Sequence, residues 1–291
     1  MIDRHSLGDG VHQSIVPGVH CIKFSQTDEP AKRQWRASLG IVVQGSKEIS
    51  LDYNVYRIDA VQYVAAPISL LVTSQIFAAT PEKPFLSLLF DFDSLIVSEI
   101  SAQLKAAPDE SKKSARAVFI GQADNRMLEA ALRFDKIFKT PEDAAVLGQL
   151  VIKEMFYHLL KSSNGAAIRQ FVRRGSKMHK ISQAIYNLRA AISEDVDISA
   201  LAKAANMNRS DFFKHFKEAT ALSPIQYQKR LRLLEARRLM IEADETAESS
   251  ALKVGYKSAS QFSREYSRLF GSSPRRDATK IKKDNSFVQQ I

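Results

Sequence analysis

The chain has 291 residues, 45% apolar and 25% charged, and its 42 Lys and Arg against 32 Asp and Glu give a net charge of +10. That length exceeds one small core and suits two domains. A lone cysteine, Cys21, excludes an internal disulfide and a clustered-thiol zinc site, and no stretch approaches the roughly 18 consecutive apolar residues that would read as a membrane span. The charge is lopsided: residues 1–165 hold 18 basic and 19 acidic side chains, whereas residues 166–291 hold 24 and 13. The excess sits in the C-terminal part, as in a phosphate-binding domain joined to a neutral one. The N-terminus, MIDRHSLGDGVHQS, is polar and lacks an apolar signal core, so the expected compartment is the cytoplasm.

Residues 37–92 read as β. Ser38 to Gln44 is a β-branched run ending at Gly45, Lys47 to Leu51 alternates polar and apolar, and Asp52-Tyr53-Asn54 has turn chemistry. Short apolar runs follow at 55–58, 61–64, 70–73 and 85–90, a spacing that predicts an antiparallel sandwich or barrel. Helical periodicity takes over from Ser94 to Leu104, then, after a polar loop at 107–113, from Met127 to Phe138. Thr140-Pro141-Glu142-Asp143 opens a further helix running to Leu159 and stopping near Ser162 to Gly165. The spare apolar faces of these helices, about 94–162 in all, either pair with a second subunit or pack on their own sheet. Residues 166–180 read as a linker, 181–280 as helical, and 281–291 as a flexible tail. The fold class is therefore α+β, with a β-rich domain over 1–165 followed by an all-α domain.

The helical part contains a two-fold repeat. Phe212 and Phe216 recur 50 residues later as Phe262 and Tyr266, and Pro224 recurs as Pro274. Each copy has the parts of a helix-turn-helix, about 198–218 and 247–268: a short alanine-rich helix, a turn at Asn206 or Gly255, and a hydroxyl N-cap at Ser210 or Ser258–Ser260. Aromatics at i and i+4 bury one face of each second helix, leaving the other for base edges. Between the copies, Ile225 to about Glu242 forms a connecting helix bearing Lys229, Arg230, Arg232, Arg237 and Arg238. A helix of about 18 residues is about 27 Å long, near the roughly 34 Å of one DNA turn.

Residues 182–278 resemble the DNA-binding domain of AraC/XylS-type regulators, through both units, the helix RLRLLEARRLM (230–240) and the pattern VGYKSASQFSREYSRLFGSSP (254–274). LGIVVQGSKEISL (39–51) and VYRIDAVQYVAAPISLLVT (55–73) more loosely resemble the cupin-like N-terminal domain of one AraC subgroup. The resemblance implies a transcription regulator, in the bacterial cytoplasm, with promoter DNA, RNA polymerase and a second copy of itself as partners. It places base contacts at Arg209, Ser210, Phe213 and Lys214 in the first unit and at Ser258, Ser260, Gln261 and Arg264 in the second. Asn208, Lys257, Arg268 and the basic connecting helix fit phosphate contacts or plain solvated charge. Departures from the family pattern are Ala221 in place of a Gly after the first unit, which adds strain to that helix end, and, in the second unit, Ala247 and Ser250 in place of larger apolar residues and Asp277-Ala278 after the last Pro, which predict a second unit that is looser or reads less sequence.

No cofactor or metal is expected, because residues 37–92 contain no histidine and His5, His12, His20, His158, His179 and His215 are scattered. A small-molecule effector would sit in the β domain, with Trp35, Tyr53, Tyr56, Tyr63 and Phe90 as candidate lining; the same aromatics also suit a core without a ligand. Two alternatives stay open: a cupin-like enzyme or alkyl-transfer protein tethered to DNA, and a non-specific DNA-binding protein.

Overall fold

In the computed structural model residues 2–104 and 116–284 are described, so the loop expected at 107–113 and the part beyond 284 of the tail expected at 281–291 lie outside the described residues. Residues 281–284, expected as the start of that tail, are instead helical, with Ile281 buried. Among the described residues ten strands build two antiparallel sheets: β1 (Gly10–Gln13), β2 (Val19–Phe24), β3 (Ala31–Trp35), β4 (Ser38–Gln44), β5 (Ser46–Leu51), β6 (Asn54–Asp59), β7 (Gln62–Ala66), β8 (Leu70–Ala78), β9 (Phe85–Asp91) and β10 (Phe119–Gln122). The six-stranded sheet has the order β1-β2-β9-β4-β7-β10, and the four-stranded sheet the order β3-β8-β5-β6. The alternation read between 38 and 90 is thus sheet, as expected. The β region starts earlier than 37, however, because β1, β2 and β3 all precede that point. Two of these are edge strands, GVHQ and AKRQW, whose polar content masks the alternation. His12 and His20, placed before the sheet by the sequence, lie within β1 and β2.

Side chains alternate across each strand, so each sheet has a face toward the interior of the sandwich and a face away from it. In the six-stranded sheet Ile22, Gly40, Val64, Phe85 and Leu89 face the interior cavity. Tyr63 and Phe90 face the opposite way, onto helices α1 (Ser94–Gln103), α2 (Asn125–Ile137) and α3 (Pro141–Lys161). Phe90 meets Phe134 of α2 at 5.6 Å, and Phe92 meets Phe156 of α3 at 5.5 Å edge to face. Gly148 lets α3 approach closely, since a Cβ there would lie 2.7 Å from Val16. The Tyr63 hydroxyl accepts from Asn164 Nδ2 and shares a 2.9 Å hydrogen bond with Ser162, tying the sheet to the end of α3.

Residues 166–180 are packed rather than loose. They include most of α4 (Gly165–Arg169), and Ile168, Phe171 and Val172 are buried, with Phe171 edge-on to Phe119 of β10 at 6.0 Å. The all-α part follows as α5 (Lys177–Ala190), α6 (Ile198–Ala204), α7 (Arg209–Thr220), α8 (Pro224–Glu242), α9 (Ala247–Lys253), α10 (Ala259–Phe270) and α11 (Pro274–Asp284). It docks on the β domain through the β7–β8 loop, where Ser69 O accepts a 2.9 Å hydrogen bond from the buried Tyr227 of α8, and Arg189 of α5 donates to Ser69 Oγ. Ala117 N also donates to Ala219 O at the end of α7, 3.2 Å away. No helix among the described residues is long and apolar enough to cross a membrane.

Candidate nucleic-acid interface

Each repeat folds as a tight pair of helices, α6 with α7 and α9 with α10. The turns between them need a left-handed residue and have one: Asn206 at φ 49° and Gly255 at φ 89°. At Gly255 a Cβ would come 2.2 Å from Ser193 O, so close approach as well as conformation excludes a side chain there. Phe212 and Phe216 are fully buried and lie 5.8 Å apart; Phe262 and Tyr266 are equally buried at 5.4 Å. With those faces inward, α7 turns Arg209, Ser210 and Lys214 to solvent, and α10 turns out Ser258, Ser260, Gln261 and Arg264.

Within this surface the roles of individual residues differ from the sequence reading. The N-cap of α7 is Asn208, whose side chain accepts from Asp211 N at 2.8 Å, not Ser210, which sits exposed in the first turn. Asn208 is thereby engaged in the helix end and also donates to Asp211 Oδ2. Ser258 is both exposed and the N-cap of α10. Gln261 donates from Nε2 to Glu265 at 3.2 Å, and Glu265 also accepts from Lys229 and Tyr256. Phe213 is half-buried against the core, with the Arg209 guanidinium 5.7 Å from its ring centre. Lys257 pairs with Asp195 at 3.0 Å on an exposed surface. Among the described residues Lys214, Arg264 and Arg268 have no ion-pair partner and are exposed, the state of cations open to an external anion.

The connecting helix corrects the sequence reading more sharply. Arg232, read as a phosphate contact or a solvated charge, is buried; it donates to Ile192 O and Glu194 O at 2.7 Å each and to Gly255 O at 3.5 Å. Arg237 is paired with Asp277 through two hydrogen bonds of 2.8 and 3.2 Å, and Arg238 with Glu235 and Glu242. Arg232 and Arg237 tie α8 to the α5–α6 loop, the α9–α10 turn and α11, whereas the partners of Arg238 lie on α8 itself; of the basic residues on α8, Lys229 and Arg230 are the exposed ones. Asp277 also accepts from Tyr266 at 2.7 Å, so the departure expected to loosen the second unit instead fastens α11 to α8 and α10. The strain expected at Ala221 is present, with φ 60° at the helix cap, where the second unit has Gly271 at φ 75°. Ser250 is fully buried, and its hydroxyl lacks a hydrogen-bond partner.

Of the five aromatics named as candidate effector lining, the interior cavity of the β domain takes in Trp35 alone. Tyr53 is 93% exposed in the β5–β6 turn, Tyr56 accepts from Arg116 at 3.2 Å, and Tyr63 and Phe90 face the helices. Alternation across the strands decides this, and the sequence alone does not say which sheet face is inside. Among the described residues no three His, Cys, Asp or Glu side chains converge.

A two-sheet sandwich carrying two linked helix-turn-helix units defines a two-domain regulator architecture. The family model for the N-terminus of AraC-type transcriptional regulators matches residues 15–167, over half of the chain, and a helix-turn-helix model matches residues 201–279. The chain belongs to the AraC-type transcriptional regulators. It is 29% identical over 115 residues to the transcriptional regulator ArgR of Pseudomonas aeruginosa, a match over 40% of this chain and 35% of that one. It is 26% identical over 123 residues to the transcriptional activator RhaS of Pectobacterium carotovorum, over 42% and 44% of the two chains. The matches thus span less than half the length of these curated relatives. Crystalline ToxT of Vibrio cholerae with a bound unsaturated fatty acid superposes with a TM-score of 0.59 over 90% of this chain and 93% of its own, at 14% identity, a likeness of fold.

Proposed function

We propose that this protein binds specific DNA sequences in the major groove through α7 and α10 and regulates transcription from the promoters it marks. In this reading Arg209, Ser210, Phe213 and Lys214 meet one stretch of bases and Ser258, Ser260, Gln261 and Arg264 the next, while Asn208, Lys257 and Arg268 meet phosphate. The observation that carries it is the exposure of Lys214 and Arg264 without internal partners, opposite buried aromatic pairs, on helices joined by one rigid connector. The 19-residue α8 is about 28 Å long, close to one turn of duplex. The reading domain spans 181–280, and residues 1–165 form a cupin-like part that receives a small-molecule effector and pairs two copies. RNA polymerase is the further partner, the compartment is the bacterial cytoplasm, and catalysis is not part of the function.

Selection from a random duplex library tests the proposal. Enrichment of a defined motif is expected, and Lys214→Ala or Arg264→Ala should each relax preference at one position by about 1–3 kcal/mol. Equal affinity for all duplexes would sink the reading, and a uniform loss in the variants would reassign the two residues to phosphate.

A further inference from the structure

The interior of the β sandwich holds a cavity of ≈ 90 Å³ walled by Ile22, Phe24, Val64, Ile76, Phe85 and Leu89. Three charged side chains reach into this apolar space: Asp28, Arg33 and Lys47. Two of them satisfy each other. Arg33 donates to Asp28 Oδ2 at 2.7 Å, and the other Asp28 oxygen accepts from Ile76 N, so the aspartate is fully engaged. Lys47 has no such partner; among the described residues no acceptor lies within hydrogen-bonding reach of its ammonium. Its closest electrostatic support is the ring of Trp35, 4.5 Å from Nζ, with Phe85 at 6.0 Å. Lys47 is half-buried, and an ammonium that loses part of its hydration to apolar walls is held at a cost; burial together with the Arg33 charge pushes its pKa down to about 8. A charge kept there without an internal partner fits an external one.

We propose that the cavity binds a compact organic monoanion, a carboxylate whose head pairs with Lys47 and whose apolar body fills the space beside Trp35 and Phe85. The charge count sets the valence: Asp28 cancels Arg33 and leaves a single positive charge. The volume sets the scale of the part held inside, since about 10–15 Å³ by this measure houses one water, so a ring or short chain fits. This inference rests on the reading of residues 1–165 as the effector-receiving part and names the chemical class of that effector.

The test uses the full chain with benzoate and hexanoate as probes and benzamide and hexanamide as neutral isosteres, read by calorimetric titration and by the shift in Tm. At least one carboxylate is expected to bind about tenfold or more tightly than its amide, and to lose affinity as pH rises above about 8, where free Lys47 loses its proton; Asp28 and Arg33, paired with each other, are the other charged groups facing it. Lys47→Met should abolish carboxylate binding and raise the Tm of the ligand-free protein, which separates loss of the site from loss of the fold. Carboxylate and amide binding alike, binding that survives Lys47→Met, or no response to either carboxylate overturns the proposal. Affinity of the ligand-free protein for its selected duplex is measured in parallel: its absence with carboxylate binding intact defeats the regulator reading and leaves the site standing.

Discussion

At the scale of single residues, conformation and charge make opposite demands at two places. Ala221 caps α7 in the left-handed region, which costs a side chain about 1–2 kcal/mol, while the equivalent Gly271 pays nothing for the same turn. Ala221→Gly is therefore expected to stabilise the protein by about 1 kcal/mol, less the extra freedom glycine gives the unfolded chain, as read by urea denaturation. Lys47 gives a pH signature. Folded, it loses its proton at about pH 8; unfolded, it keeps it to about 10.4. Between those values the unfolded chain binds more protons, so the wild type gains stability as pH rises. The advantage of Lys47→Met at neutral pH should accordingly shrink between about pH 8 and 10; a gap that stays constant across that window would show the ammonium to be solvated. The aromatic pairs and the turn residues Asn206 and Gly255 were legible in the sequence because helical spacing and left-handed backbone are local properties. The burial of Arg232 was not, because its acceptors are the carbonyls of Ile192, Glu194 and Gly255, far along the chain. The partner of Arg237, Asp277, was likewise read as a defect until its contacts with Arg237 and Tyr266 were seen.

At the scale of elements, α3 divides its surface. Ala144, Val151, Met155 and Phe156 pack inward, whereas Val146 is 66% exposed, Leu150 60% and Tyr157 40%, along a line with spacings of four and seven. Leu132 of α2, which packs beside α3, is likewise 68% exposed. Such a stripe matches the proposed pairing of two copies through the helices of the N-terminal part. Leu150→Glu should convert the wild-type dimer into a monomer in sedimentation or light-scattering measurements, with the helical content unchanged; a wild type that is already monomeric at tens of micromolar removes the pairing from the proposal. The sequence showed these helices and left open which faces were spare, since the choice is made by the sheet beneath them. It read the strands between 38 and 90 and missed β1, β2, β3 and β10; of these, β1, β3 and β10 are edge strands, which need only one apolar side and carry polar residues on the rest.

At the scale of the whole molecule, the charge split and the two-domain division were visible from composition and repeat. The way the two parts meet was not. One loop, Pro67 to Ser69, receives both Arg189 and Tyr227, and residues 166–180, expected as a spacer, bury Ile168, Phe171 and Val172. The same loop leads directly into β8, whose Ser74 and Ile76 wall the cavity, so the effector space and the seat of the helical part share one strand.

The grip of Arg232 on three backbone carbonyls has a counterpart on the duplex. Because α6–α7 and α9–α10 are clamped to one helix, the distance and azimuth between their reading surfaces are fixed by the protein. DNA advances about 3.4 Å and turns about 34–36° with each base pair. Inserting two base pairs between the recognised stretches therefore displaces one of them by about 7 Å and swings it by about 70°, beyond what a clamped pair can follow. A duplex series with zero to ten inserted pairs should show affinity collapsing at once to that of one stretch alone and staying there, including at ten, where a loosely tethered pair would recover by returning to the same side of the helix.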